Sequence, residues 1–179
     1  MTKSLIPVSP GFDEPLEMLT ACHERLHAQL ETLRRLSRWL PEHGVDEPAR
    51  RAAASVIRYF DHAAVNHHMD EEQDLFPLLL RKVSADRRYA LVALIDWIKE
   101  DHQRMFAAWA DMKTRLEALV AGEAFELSND VVDAFCERYV MHTDREESEL
   151  LPHAQALLDE EDLAALGQTM TARRRQPAA

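Results

Sequence analysis

Apolar residues return along the chain at steps of three and four, and polar breaks separate the runs. The pattern predicts helices, and no stretch shows the period of two that a half-buried strand needs. The first helix opens at Asp13, an N-cap acceptor followed by Glu14 and Pro15. It runs to Leu40, where Pro41, Gly44 and Pro48 break the pattern. Asp46 caps a second helix that continues through Tyr59 and Phe60 towards Leu75–Leu80, with Pro77 disturbing its last turns. Ser84 starts a third, which ends near Ala121 and Gly122. Ser128 or Asn129 starts a fourth, which ends near Leu151 and Pro152, and Asp159 caps a shorter fifth segment through Met170. Four long helices with short connections predict an all-α protein: an antiparallel up-down four-helix bundle with an additional C-terminal helix. The layout is an N-terminal extension over 1–12, a bundle over 13–155, and a C-terminal helix and tail over 156–179.

Each long helix carries polar residues inside its own apolar stripe. The first stripe is Leu16, Leu19, His23, Leu26, Leu30 and Leu33. The second is Phe60, Ala64, His67, Glu71, Leu75 and Leu78. The third is Ile98, His102, Met105, Trp109, Met112, Leu116 and Leu119. The fourth is Val132, Phe135, Tyr139, His142, Glu146 and Leu150. A buried carboxylate is costly unless paired, so four histidines and two glutamates in register with the core need a common counter-charge. A cation between the helices supplies one.

The two halves of the chain repeat this arrangement. Cys22-His23-Glu24-Arg25-Leu26 opens a helix pair that closes with His67-x3-Glu71-Glu72-x2-Leu75-Phe76-Pro77. Asp101-His102-Gln103-Arg104-Met105 opens a second pair that closes with His142-x3-Glu146-Glu147-x2-Leu150-Leu151-Pro152. The period reads as a duplicated helical hairpin with a pseudo-twofold axis. The His–Glu pairs at i, i+4 put imidazole and carboxylate on one helix face, one turn apart. Three donors per half suit two metal ions, and imidazole with carboxylate is a ligand set for iron, with zinc or manganese as possibilities. If Glu71 and Glu146 bridge, each metal gains two histidines and two carboxylate oxygens. With about six positions per iron, room remains for a bridging oxo or hydroxo group and for an exogenous diatomic. The stripes hold no thiolate, which argues against a closed structural zinc site.

Composition narrows the partners. The chain has 179 residues, 46% hydrophobic and 30% charged, the balance of an ordinary globular domain. Its formal net charge of -11 lacks the basic footprint that phosphate backbones select, so nucleic acid is excluded as an expected partner. The run Arg173–Arg175 tips a helix or tail rather than binding a polyanion. The two cysteines, Cys22 and Cys136, make no disulfide framework and suit a reducing compartment. No signal peptide is visible, and the apolar runs, such as Ala90–Ile95, are too short to cross a bilayer. A cytoplasmic location without membrane contact is the expectation.

These residues resemble the haemerythrin-like, or HHE cation-binding, family. The carriers are His67-His68-Met69-Asp70-Glu71-Glu72 with Leu75-Phe76-Pro77, His142-x3-Glu146-Glu147, and the single helix histidines His23 and His102. The resemblance covers roughly residues 13–155 and implies a bundle holding a non-haem di-iron centre that handles dioxygen, nitric oxide or iron itself. It departs from the oxygen carriers at two places. Their third helix bears a second histidine at i+4, where this chain has Phe106. Their last carboxylate is an Asp five residues after its histidine, where this chain has Glu146, four after His142. A more symmetric centre, open at both irons, follows from these differences, suited to sensing or reactive chemistry rather than reversible carriage.

The expected metal ligands are therefore His23, His67, Glu71, His102, His142 and Glu146. His68 and Glu72 share the i, i+4 spacing but sit about 100° round from the stripe, in outer or surface positions. Tyr139 either hydrogen-bonds a metal-bound oxygen or packs in the core. His62, His43 and His153 are expected to face solvent. Two rival motifs remain. His23-Glu24-Arg25-Leu26-His27 matches the zinc metalloprotease pattern H-E-x-x-H, but no sheet accompanies it and the repeat at His102 lacks it. Glu24-x-x-His27 is half of a ferritin-like di-iron motif, whose second half fails at Lys99, leaving His27 as an outer residue or an extra ligand. Three function classes follow: a binding or sensing module for dioxygen or nitric oxide, an enzyme acting on peroxide or nitric oxide or donating iron, and a metal-stiffened scaffold.

Overall fold

Five helices account for the chain in a computed structural model that describes residues 10–123 and 126–175. Most of the expected N-terminal extension and the last four residues of the tail lie outside that range. Helix α1 is Pro15–His43. Helix α2 is a continuous helical run over 47–82, built from Glu47–Arg58, a π-helical stretch Tyr59–Ala64, Val65–Met69, a second π-helical stretch Asp70–Leu75, and Phe76–Lys82. Helix α3 is Ala85–Ala121. Helix α4 runs over 129–157, with a π-helical stretch Glu146–Leu150 between Asn129–Arg145 and Leu151–Leu157. Helix α5 is Glu160–Arg175. No strand occurs among the described residues. No helix there is long and apolar enough to cross a membrane.

The ends follow the sequence logic closely. The Asp46 side chain accepts from the Ala49 N–H at 2.8 Å, and Ser128 accepts from Val131 at 3.4 Å. Gly122 takes the left-handed conformation, φ 82°, and passes its N–H to Leu119 while Glu123 reaches Ala118, closing α3. Pro41 does not end α1, which continues to His43 before Gly44 at φ 67°. A proline in a last turn removes only one backbone bond, and the stacking of His43 on Trp39, 3.5 Å between centroids, covers that turn.

Prolines shape the site more deeply at the far ends of α2 and α4. The Phe76 N–H reaches back five residues to the Glu71 carbonyl, and the Leu151 N–H reaches back five to Glu146. Pro77 and Pro152 follow directly. Proline cannot donate to the carbonyl four residues back and its ring crowds it, so the preceding turn widens. Each half thus places its glutamate in a π-helical turn, as the acceptor of a five-residue backbone bond. The extra residue advances the stripe by one position, so Leu79, with no exposed surface, replaces the expected Leu78 in the core.

The interior is two apolar clusters separated by a polar layer. One holds Leu26, Leu30, Phe60, Met105, Trp109, Phe135 and Tyr139. The other holds Leu19, Cys22, Leu75, Ile98, Leu150 and Met170. The layer between them falls where His23, His67, Glu71, His102, His142 and Glu146 interrupt the four stripes. Helix α5 packs on α1 and on the second π-turn of α2. Gly167 makes this possible, because a Cβ there would stand 1.8 Å from the Phe12 carbonyl oxygen. The run Arg173–Arg175 does end this helix. Arg173 and Arg174 both pair with the fully buried Asp70, Arg174 at 2.6 Å, and Arg173 also reaches Asp74 at 2.6 Å.

Candidate metal centre

The six expected residues meet in the polar layer, all 6% exposed or less. His23 Nε2 lies 3.2 Å from Glu146 Oε2 and 3.1 Å from His67 Nε2. His67 Nε2 lies 3.6 Å from Glu71 Oε1. On the other side, His102 Nε2 lies 3.5 Å from Glu71 Oε2 and 3.6 Å from Glu146 Oε1, and His142 Nε2 lies 2.8 Å from Glu146 Oε1. Glu146 therefore turns Oε2 to His23 and His67 and Oε1 to His102 and His142, while Glu71 turns Oε1 to His67 and Oε2 to His102. Carboxylate and imidazole donors therefore converge inside one buried layer, a donor set that could hold a cation.

Apart from these histidine contacts, no group among the described residues satisfies these atoms. All four glutamate oxygens, with His102 Nε2 and His142 Nε2, are buried without a hydrogen-bond partner of adequate geometry. Unpaired buried polar groups of this kind are rare and costly, and a bound ion is one of the standard explanations. The electrostatics agree. Burial, together with the charge of Glu146, pushes the Glu71 carboxyl up to about 7. Burial opposes ionisation of Glu146 too, but His142, His102 and His23 hold it well below the usual carboxylate range. Two buried carboxylates at this separation ionise together only beside added positive charge.

Carboxylates hold the outer faces of three of the four histidines, whereas His67 Nδ1 has no hydrogen-bond partner. His23 Nδ1 donates to Glu147 at 2.8 Å, and His102 Nδ1 donates to Glu72 at 2.7 Å. Each half's second glutamate thus orients the other half's single histidine. His142 Nδ1 donates to the buried Asp101 at 3.1 Å, and Asp101 is itself held by Arg138 at 2.7 Å. These bonds fix protons on Nδ1 and leave Nε2 lone pairs facing the layer, the tautomer a metal ligand needs. Cys22 occupies the repeat position of Asp101 and faces His67. Burial raises the Cys22 thiol, but His67 and Arg25 outweigh it and bring it down to about 7.

Several assignments change. His68 is buried rather than at the surface: its ring stacks on His102 at 4.0 Å and 22°, and its Nδ1 has no partner. One donor atom each from His68, His102 and His142 lies within 4.8 Å of the others. A second set of the same compactness is His23, His67, Glu71 and Glu146. A bundle helix touches two neighbours, so its buried face spans adjacent positions, and a single-line stripe misses the second of them. Asp101 was also missed, although its repeat position beside His102 marked it. Tyr139 packs in the core, with its hydroxyl donating to the Met105 carbonyl at 3.4 Å and its ring on Phe60 and Phe135. His62 and His43 face solvent as expected, whereas His153 is half-buried.

The rival motifs do not assemble. Glu24 is exposed, and His27 Nε2 bonds the Thr143 hydroxyl at 2.9 Å rather than turning into the layer. A general base on the outer surface cannot serve a zinc held inside the bundle.

Comparison with known proteins agrees with this geometry. Residues 14–154 match the family model described as the hemerythrin HHE cation binding domain. An uncharacterised protein of Haemophilus influenzae is 29% identical over 163 residues, covering 91% of each chain. With the match spanning all four bundle helices and every residue of the polar layer, the chain belongs to the hemerythrin HHE cation-binding family.

Proposed function

We propose that the protein binds two non-haem iron ions through His23, His67, Glu71, His102, His142 and Glu146, and that it binds or senses dioxygen or nitric oxide there. The observation that carries this reading is the pair of buried glutamates. Their four unpartnered oxygens face histidine nitrogens on two sides. Bound iron supplies reversible redox chemistry and open positions for a small ligand.

The chain's own groups do the rest. Glu147, Glu72 and Asp101 keep the Nδ1 protons of His23, His102 and His142 in place, so ring rotation does not scatter the donors. The two apolar clusters above and below exclude bulk water and favour small uncharged ligands. Near-complete burial of the six residues suits a diatomic better than a bulky substrate. The unpaired cysteines Cys22 and Cys136 fit a reducing cytoplasm.

Metal content and an optical spectrum of protein from iron-replete cells test the reading. The expected result is about two irons per chain with near-ultraviolet bands that shift on adding azide. One zinc or no metal in iron-replete material overturns it. An azide-silent spectrum favours the scaffold. Recovery of the spectrum after nitric oxide or dioxygen is removed marks binding or sensing, whereas sustained consumption of peroxide or nitric oxide marks an enzyme.

A further inference from the structure

The duplication is broken on one side of the metal layer. In the second half, the residue after His142 is Thr143, whose hydroxyl donates to the Tyr139 and Val140 carbonyls and bonds His27. In the first half, the residue after His67 is His68. Its neighbour across the bundle is Phe106, which stands at the repeat position of His27 and meets the His68 ring edge-on at 5.1 Å. A polar pair, His27 with Thr143, thus faces a pair in which one member cannot hydrogen-bond. Phe106 packs the imidazole edge-on and offers no hydrogen bond to His68 Nδ1, which has no partner.

We propose that His68 is a third histidine ligand of the ion held by His102 and His142, which makes the two ions inequivalent and leaves the more open coordination on the His23–His67 side. Three observations carry this. His68 is 94% buried, at 6% exposure, and its Nδ1 finds no partner, an unpaired state that is costly where nothing satisfies it. Its ring lies against His102 at 4.0 Å and 6.3 Å from His142. The three residues bring donor atoms within 4.8 Å of one another, the same compactness as the His23, His67, Glu71 and Glu146 set. No equivalent exists on the other side, where His27 is tied to Thr143.

The donor count follows. The His102 side gains three imidazoles and two carboxylate oxygens, and the His23 side keeps two of each. Small ligands then enter beside His23 and His67, next to Cys22. The sequence comparison had suggested a symmetric centre because the third helix has Phe106 where a carrier has histidine. In this chain the imidazole comes from α2 instead.

The assignment rests on the di-metal reading above, and the test separates the two. Metal-free protein is loaded anaerobically with ⁵⁷Fe(II), and metal content and Mössbauer spectra are taken for wild type, His68→Ala and His68→Gln. Wild type should hold two irons per chain and show two doublets of equal area. Both variants should converge towards one doublet or release one of the two irons about 10–100-fold more readily. Fewer than two irons in wild type overturns both readings. Two irons with a single wild-type doublet, or with variant spectra and retention unchanged, overturn the role of His68 alone. His68→Gln keeps the volume and polarity of the site if the alanine variant does not fold, and the wild-type spectrum decides independently of either.

Discussion

Replacing Glu71 by glutamine separates what this carboxylate costs the fold from what it contributes to the metal. In metal-free protein, burial and the Glu146 charge raise it from 4.5 to about 7. A raised carboxyl means that the folded chain keeps a proton the unfolded chain has already released. Stability from this group is present below 4.5 and is lost as pH rises to about 7. Worked through for a single site, the loss between about pH 5 and pH 8 is on the order of 2–3 kcal/mol. His142 adds to the trend. Burial pulls its pKa down, but Glu146 and Asp101 outweigh burial and raise it from 6.5 to about 9. Its contribution is full below 6.5 and fades as pH rises through about 9. Metal-free wild type should therefore weaken from mild acid to mild base, and Glu71→Gln should cancel only its own share. Urea unfolding with a chelator present reads this directly. The stability of Glu71→Gln relative to wild type should improve by roughly 2–3 kcal/mol between about pH 5 and pH 8. Packing costs of the amide cancel in that difference. Adding Fe(II) should invert the order, because an ion bound only by folded wild type stabilises it by mass action. A relative stability that stays flat across this pH range refutes the reasoning, since Glu71 would then be satisfied by protein groups and would need no cation.

Three further outcomes follow from the same contacts. Glu71→Ala and Glu146→Ala should each strip metal, whereas Glu72→Ala should keep two ions and release one about 10–100-fold more easily under dialysis against a chelator. Loss of all metal from Glu72→Ala, with Glu71→Ala still loaded, would show that the register is off by one. Removing Arg173 and Arg174 together leaves Asp70 buried and unpaired beside Glu71, so thermal unfolding should report a loss of about 3–5 kcal/mol. Gly167→Ala forces a Cβ into the Phe12 carbonyl and should lower the melting temperature, while Gln168→Ala on the exposed face of α5 should leave it unchanged.

The bundle and its polar layer were legible because both are local signals. A His–Glu pair at i, i+4 inside a leucine stripe needs no tertiary information to look anomalous, and the duplication shows it twice. What stayed hidden depends on which helices lie side by side. Glu72 and Glu147 read as mere neighbours of the ligands. Only packing reveals that each crosses to the other half, Glu72 to His102 and Glu147 to His23. Asp70 and the arginines of α5 are far apart in sequence, and their pairing has no periodic signature. The π-helical turns lie between these cases. Pro77 marked a disturbance, but its consequence, a one-residue advance from Leu78 to Leu79, follows from the backbone bond between Phe76 and Glu71.

The repeat also carried more information than its matching positions. Aligning the halves sets Cys22 against Asp101, His68 against Thr143 and Phe106 against His27. Each mismatch exchanges a residue that can bind metal or hold a proton for one of different chemistry. Across the bundle, two of the three mismatches meet: His68 touches Phe106, and His27 bonds Thr143. The third puts a thiol behind His67 where a carboxylate stands behind His142. A carboxylate hydrogen-bonded to Nδ1 strengthens an imidazole donor more than a thiol does, and a third imidazole adds a donor outright. On the proposed two-ion reading both differences push the same way, towards a saturated ion beside His102 and His142 and a less saturated one beside His23 and His67. The shared residues would then make the centre, and the unshared ones would decide which side of it meets a ligand.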